Sequence, residues 1–183
     1  MFADDATFFT DGSQQSIESL FKQIKYFGKL SELNLNKSKT TILRCGALKH
    51  TSFTCCKDNN FNWTSDKAST LGMVYTNNKS DIFKNNFQPK LDQFVECLNK
   101  WSRHNLTPIG KICVLKTFAL PKLIFPLTML ENPKEDIIKT IKDTMFRFLW
   151  NGKPDKIKRN VIIQDYNKGG LKMIEIDSYI NAL

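Results

Sequence analysis

Two adjacent carboxylates, Asp4 and Asp5, stand at the head of the chain behind Met1-Phe2 and one small residue, Ala3. Adjacent acids on a tight turn are hard oxygen ligands on a stiff support. Phosphoryl transfer uses such ligands to hold two metal ions about 3.5–4 Å apart. A small residue just before them leaves room for the 3′ end of a growing strand. An Asp-Asp pair taken alone also reads as an exposed turn, so its surroundings must decide. A second polar box, Leu33-Asn34-Leu35-Asn36-Lys37-Ser38-Lys39-Thr40, follows downstream. Taken alone, its lysines read as solvated turn residues.

Other reactive side chains offer less. Cys45, Cys55, Cys56, Cys97 and Cys113 make an odd count with no Cys-x-x-Cys pair, which suits a reducing compartment. Cys45, His50, Cys55 and Cys56 match no common zinc spacing and read as free thiols. His50 and His104 have no visible catalytic partner in the sequence.

Charge is more telling. Lys+Arg number 27 against 18 Asp+Glu, a net of +9. Residues 1–60 carry 8 basic and 6 acidic groups; residues 61–183 carry 19 and 12. The excess therefore sits in the C-terminal part and points to a polyanionic partner. Its candidate contacts are Lys111, Lys116 and Lys122, and the run Lys153, Lys156, Lys158, Arg159, opposed only by Asp155. The longest apolar stretch, Ala119 to Leu130, is interrupted by Pro121, Lys122 and Pro126 and is too short to span a bilayer. With acids at Asp4 and Asp5, no signal peptide is expected, and the expected location is intracellular, with no membrane partner.

The elements that would position these groups follow from periodicity. Residues 1–10 read as a β-hairpin with Asp4 and Asp5 near its turn. Asp11-Gly12-Ser13 starts a helix whose stripe is Ile17, Leu20, Phe21, Ile24, Phe27 and Leu30. Thr40 to Cys45 reads as a strand and 46–62 as a loop. Trp63-Thr64 with Ser69 to Tyr75 reads as a further hairpin, with Gly72 allowing close backbone approach. From Asp81 a long helical stripe runs through Phe83, Phe87, Leu91, Phe94, Val95, Leu98 and Trp101. A second helix covers Pro108 to Leu120 and is broken or kinked by Pro121. A third opens at Pro133, carries Ile137, Ile141, Met145 and Phe148, and ends at Gly152 and Pro154. Trp101 and Trp150 end these stripes and read as core. The expected class is α+β: a small sheet region followed by a basic helical region.

The ordered set of boxes resembles the reverse transcriptases of non-LTR (LINE-type) retrotransposons, from mid-palm into the thumb and just beyond. Phe2-Ala3-Asp4-Asp5 is similar to the family's catalytic acidic box, and Ser31 to Thr40 to its Ser-Gly-Leu-x-x-Asn-x-x-Lys-Thr box. Leu71-Gly72 resembles the turn that grips the primer. Leu98 to Arg103, Leu106 to Lys116, Leu120-Pro121-Lys122, Phe148 to Lys153 and Gly169 to Met173 follow in the family's order. The resemblance covers nearly the whole chain. It implies a partial palm over 1–76, a helical thumb over 77–152 and the start of a post-thumb connector over 153–183.

It also implies roles. Asp4 and Asp5 belong to a two-metal Mg²⁺ site, Asp4 as the principal ligand. Lys39, or Lys37 in its place, assists the leaving pyrophosphate. Gly72 and the basic thumb residues hold an RNA template, a DNA primer and their hybrid, and deoxynucleotides are the substrates. The family's first catalytic Asp, fingers and endonuclease precede the point that matches Met1, so this stretch alone is expected to be catalytically incompetent. The alternative is a non-catalytic remnant that grips a primer–template duplex; a further one is a decayed element with no working product. Glu32 stands where the family has Gly, which costs stability if that position needs positive φ.

Overall fold

A computed structural model describes residues 6–50 and 61–182. The Asp4–Asp5 pair, and Cys55 and Cys56, lie outside the described residues, as does most of the expected 46–62 loop. The fold is mixed α+β, 57% helical, with sheets of 2 strands each. Two compact units divide at Ile82/Phe83, within the first turns of a helix.

In the N-terminal unit, helix α1 spans Gln14–Ser31. Ser13 caps it: its hydroxyl accepts from the Ser16 N–H at 3.2 Å. Asp11 steadies the cap by accepting from the Ser13 N–H at 3.0 Å, and that bond holds the Asp11 carboxyl below its ordinary range. The helix ends because Glu32 turns left-handed, at φ +62°, the conformation in which Gly is the easiest residue. The chain then folds back over Gly28, where a Cβ would lie 3.0 Å from the Leu33 carbonyl oxygen.

Two expectations fail here. Residues 6–10 form no strand, and Phe8 and Phe9 are 56% and 90% exposed. Neighbouring aromatics point to opposite faces of a strand, and no described strand pairs with this segment. The α1 stripe buries Ile17 but leaves Phe27 and Leu30 57% and 69% exposed, so only its first half is core.

Strand β1 (Thr41–Leu43) forms inside the expected Thr40–Cys45 strand. It pairs parallel with β2 (Asn62–Thr64), Ile42 opposite Trp63. Trp63-Thr64 was expected in a hairpin; instead the hairpin is β3 (Lys67–Thr70) against β4 (Met73–Thr76). Its two-residue turn, Leu71-Gly72, has φ +50° and +78°, the double left-handed geometry that matches strand twist. Nothing lies within 4 Å of a Cβ built on Gly72. Within the chain the glycine therefore serves dihedral freedom, and none of the described residues makes a close approach to it. Asn77 ties the strand ends together: its amide donates to the Arg44 and Ser65 carbonyls at 2.8 and 2.6 Å and accepts from the Gly46 N–H at 3.2 Å.

In the C-terminal unit, α2 (Lys79–Trp101) buries Phe87, Leu91, Phe94 and Leu98 along its stripe. Helix α3 (Pro108–Val114) is capped by Thr107, whose Oγ1 accepts from the Gly110 N–H at 3.2 Å. The expected single helix to Leu120 instead widens into a π turn at Leu115–Ala119, closed by Leu120 N–H to Leu115 O at 2.9 Å. Pro121 has no N–H to continue the ladder and opens α4 (Pro121–Met129), bent by 46° from the segment before it. Among the described residues no single helix is long and apolar enough to cross a membrane. The bent pair is apolar because Ile112, Leu115, Ala119, Leu120, Leu123 and Leu127 lie in the core.

Helix α5 (Glu135–Leu149) supplies Ile141, Met145, Phe146, Phe148 and Leu149 to the same core. Trp150 is buried beside them; Trp101 is half-buried and stacked on Phe118 at 5.3 Å. Short helices α6 (Arg159–Ile163) and α7 (Ile176–Asn181) follow. Ile162, Met173, Ile176 and Ile180 join the core laid down by α2–α5, so α6, α7 and the segment between them share the helical unit's interior.

Candidate nucleic-acid interface

The centre of the helical unit is a buried cation. Lys111 on α3 is 2% exposed. Its Nζ donates to the carbonyls of Phe148 and Leu149 at 3.0 and 3.2 Å, and to the Asn151 side-chain oxygen. These carbonyls end α5, where a helix has no intrahelical donors left and carries partial negative charge. Lys111 therefore caps α5 from another helix, with its ammonium 5.4 Å from the Phe148 ring centroid. Burial lowers its pKa. The expectation that Lys111 touches phosphate is corrected: its amine is spent on backbone carbonyls and faces no solvent.

The other expected basic residues divide. Lys116, on the π turn, is exposed. Lys122 on α4 is half-buried, and its charge is felt by Glu96 of α2. Lys153, Lys156 and Lys158 are exposed in the segment between α5 and α6. Arg159 is corrected as a free cation. Its Nε donates to Asp155 and its Nη1 to Asp143, both at 2.8 Å, and its guanidinium covers the Phe146 ring at 4.4 Å. The bond to Asp155 first, then that to Asp143, raises its pKa, and two carboxylates already balance its charge.

In the N-terminal unit, Lys39 sits exposed on a turn that its own box builds. The Asn36 side-chain oxygen accepts from the Ser38 hydroxyl at 2.8 Å and the Lys39 N–H at 3.2 Å. The Asn36 carbonyl accepts from the Thr40 N–H and hydroxyl at 3.0 and 2.7 Å. Asn36 and Thr40 close the turn, and Lys37 to Lys39 project from it, immediately before β1. Gly72 lies at an exposed hairpin tip in the same unit.

A groove of about 630 Å³, which no motif in the sequence marks, lies at the ends of α2 and α5. Its floor is Val95, Leu98 and Phe148; its walls are Asn99, Ser102, Arg103, His104, Asn105, Thr144, Arg147, Asn151 and Gly152. No acid lines it. The acids adjacent along the helices are already engaged, Glu96 with Lys100 at 2.8 Å and Asp143 with Arg159. The available signal was Arg103 and Arg147 near the ends of two helices, where cations suit the dipole. Their convergence depends on how α2 and α5 pack, which local periodicity does not state.

No protein-family model matches the chain. Among the described residues no group of three or more His, Cys, Asp or Glu side chains is placed to hold a metal ion.

Proposed function

We propose that this chain is palm and thumb sequence of a LINE-type reverse transcriptase, and that its helical unit holds a primer–template duplex. In the parent enzyme, which makes DNA on an RNA template, Asp4 and Asp5 would be Mg²⁺ ligands and Lys39 a pyrophosphate-side lysine. The helical unit contributes grip and not chemistry. One observation carries the reading: boxes that the resemblance picks out far apart in sequence are physically joined. Lys111, from the Leu106–Lys116 box, holds the backbone of the Phe148–Lys153 box. Leu98, from the Leu98–Arg103 box, packs in the same core as Phe148 and Ile112.

The last box fits as well. Gly169 takes φ +77° and a Cβ on Gly170 would stand 2.0 Å from the Gln164 carbonyl oxygen, so each glycine has its own steric reason. Glu32, where the family has Gly, does adopt positive φ.

A thumb must hold a duplex without reading its sequence, through phosphate contacts and the shape of an A-like minor groove. The test is competition. A labelled RNA–DNA hybrid bound to the chain is challenged with unlabelled hybrids of unrelated sequence and with B-form DNA of equal length. The reading expects equal competition among hybrids and weaker competition by the B-form duplex. Displacement by one sequence alone would sink it.

A further inference from the structure

We infer that the groove between the ends of α2 and α5 is the phosphate-binding site of this unit, taking consecutive phosphodiesters of one nucleic-acid strand on Arg103 and Arg147. The inference rests on the proposed duplex-holding function and names the site that serves it.

Arg103 and Arg147 are exposed, line one cavity and have no ion-pair partner among the described residues. This contrasts with Arg159, held between two carboxylates, and Lys111, buried on carbonyls. Two unbalanced guanidiniums in a groove without an acid repel each other and attract an anion. Guanidinium presents paired donors that match phosphate oxygens.

The remaining lining suits a phosphodiester better than a small free anion. Asn99, Asn105 and Asn151 offer amide donors for sugar and ester oxygens, while the Ser102 and Thr144 hydroxyls, which donate to the Asn99 and Thr140 carbonyls at 2.7 Å, keep lone pairs to accept from a sugar hydroxyl. Val95, Leu98 and Phe148 give an apolar floor on which a sugar face can rest. At about 630 Å³ the groove exceeds what one phosphate fills. Lys111 matters indirectly, because it fixes Phe148, Leu149 and Asn151 at the end of α5 and so sets the wall that carries Arg147.

The test compares three versions of this chain on the same RNA–DNA hybrid across a salt series: wild type, Arg103→Gln with Arg147→Gln, and the charge-matched control Lys134→Gln with Lys139→Gln. The control residues are exposed and lie outside the groove. The inference expects the arginine variant to bind on the order of 10-fold more weakly near 0.1 M salt, with a log–log salt slope shallower by about 2. The control keeps the wild-type slope and near wild-type affinity. Equal losses in both variants, or none in the arginine variant, would overturn the groove while leaving duplex binding intact. A folded wild type that binds no hybrid at low salt would overturn both readings together.

Discussion

The two units use their apolar residues differently. In the helical unit a continuous cluster runs from Phe87 on α2 to Ile180 on α7 and draws on every helix between. In the N-terminal unit the described cluster is Ile17 and Phe61, with Phe21, Ile42 and Trp63 packed against them. Phe8, Phe9, Tyr26, Phe27 and Leu30 stay exposed there. Its order rests on polar devices instead: the Ser13 cap, the Asn36 turn and the Asn77 tie. Burial gives cooperative stability that scales with apolar area, whereas each exposed hydrogen bond adds only about 1 kcal/mol. The helical unit should therefore behave as the stable body, and the N-terminal unit as the part whose stability is set by single hydrogen bonds and dihedrals.

Substitutions in each unit can break that contrast. Gly170→Ala should do the most damage, because its methyl would meet the Gln164 backbone and not a yielding side chain. A loss of about 3 kcal/mol in the helical unit's unfolding free energy, read as a lower denaturant midpoint, is expected. A loss no larger than that of Gly72→Ala, which meets no atom within 4 Å and strains only the backbone at φ +78°, would show that the α6 segment relaxes freely.

Lys111→Met should cost about 1–3 kcal/mol, since the Leu149 carbonyl loses its donor and the Phe148 carbonyl is left with the Asn151 N–H at 3.3 Å. Its pH dependence has a definite sign. Burial lowers the folded pKa below the unfolded one, so over that window the unfolded chain holds more protons and stability rises with pH. The advantage of wild type over Lys111→Met should therefore grow as pH climbs toward the ordinary lysine value, and urea titrations in alkaline buffers would show it. A flat difference would mean the burial penalty is already offset by the carbonyls.

In the N-terminal unit, Asn77→Ala removes the three bonds that tie the strand ends. It should cost about 1–2 kcal/mol there, read as faster amide exchange in β1–β4 with exchange in α2–α5 unchanged. Glu32→Gly is the smallest change and the only one with a gain. It relieves a left-handed L-residue at φ +62° and should raise the N-terminal unit's stability by about 1 kcal/mol. No gain in its thermal midpoint would show that the larger unfolded-state entropy of glycine cancels the relief.

How far the sequence could be read followed the same divide. The stripes of α2 and α5 were legible because their apolar spacing and their burial agree. The Pro108–Leu120 helix was legible only as far as Val114, since a π turn depends on a downstream proline and leaves no periodic mark of its own. The α1 stripe misled from Phe27 onward, because periodicity shows which residues share a face and not whether anything covers it. Lys111 misled for the complementary reason. A lysine between Gly110 and Ile112 looks like any solvated cation until the end of α5 is known to lie against it. Arg103 and Arg147 went unread because each is ordinary alone. Glu32 was the opposite case: one unexpected residue type in a box pointed to a backbone dihedral that the structure contains.

The most direct test of the account is binding of the full chain to a labelled RNA–DNA hybrid over a salt series, with folding of the same sample checked by circular dichroism. The account predicts binding at low salt whose logarithm falls linearly with the logarithm of salt, losing about 0.9 units for each phosphate neutralised. A folded sample that shows no binding at low salt, or binding insensitive to salt, would contradict it.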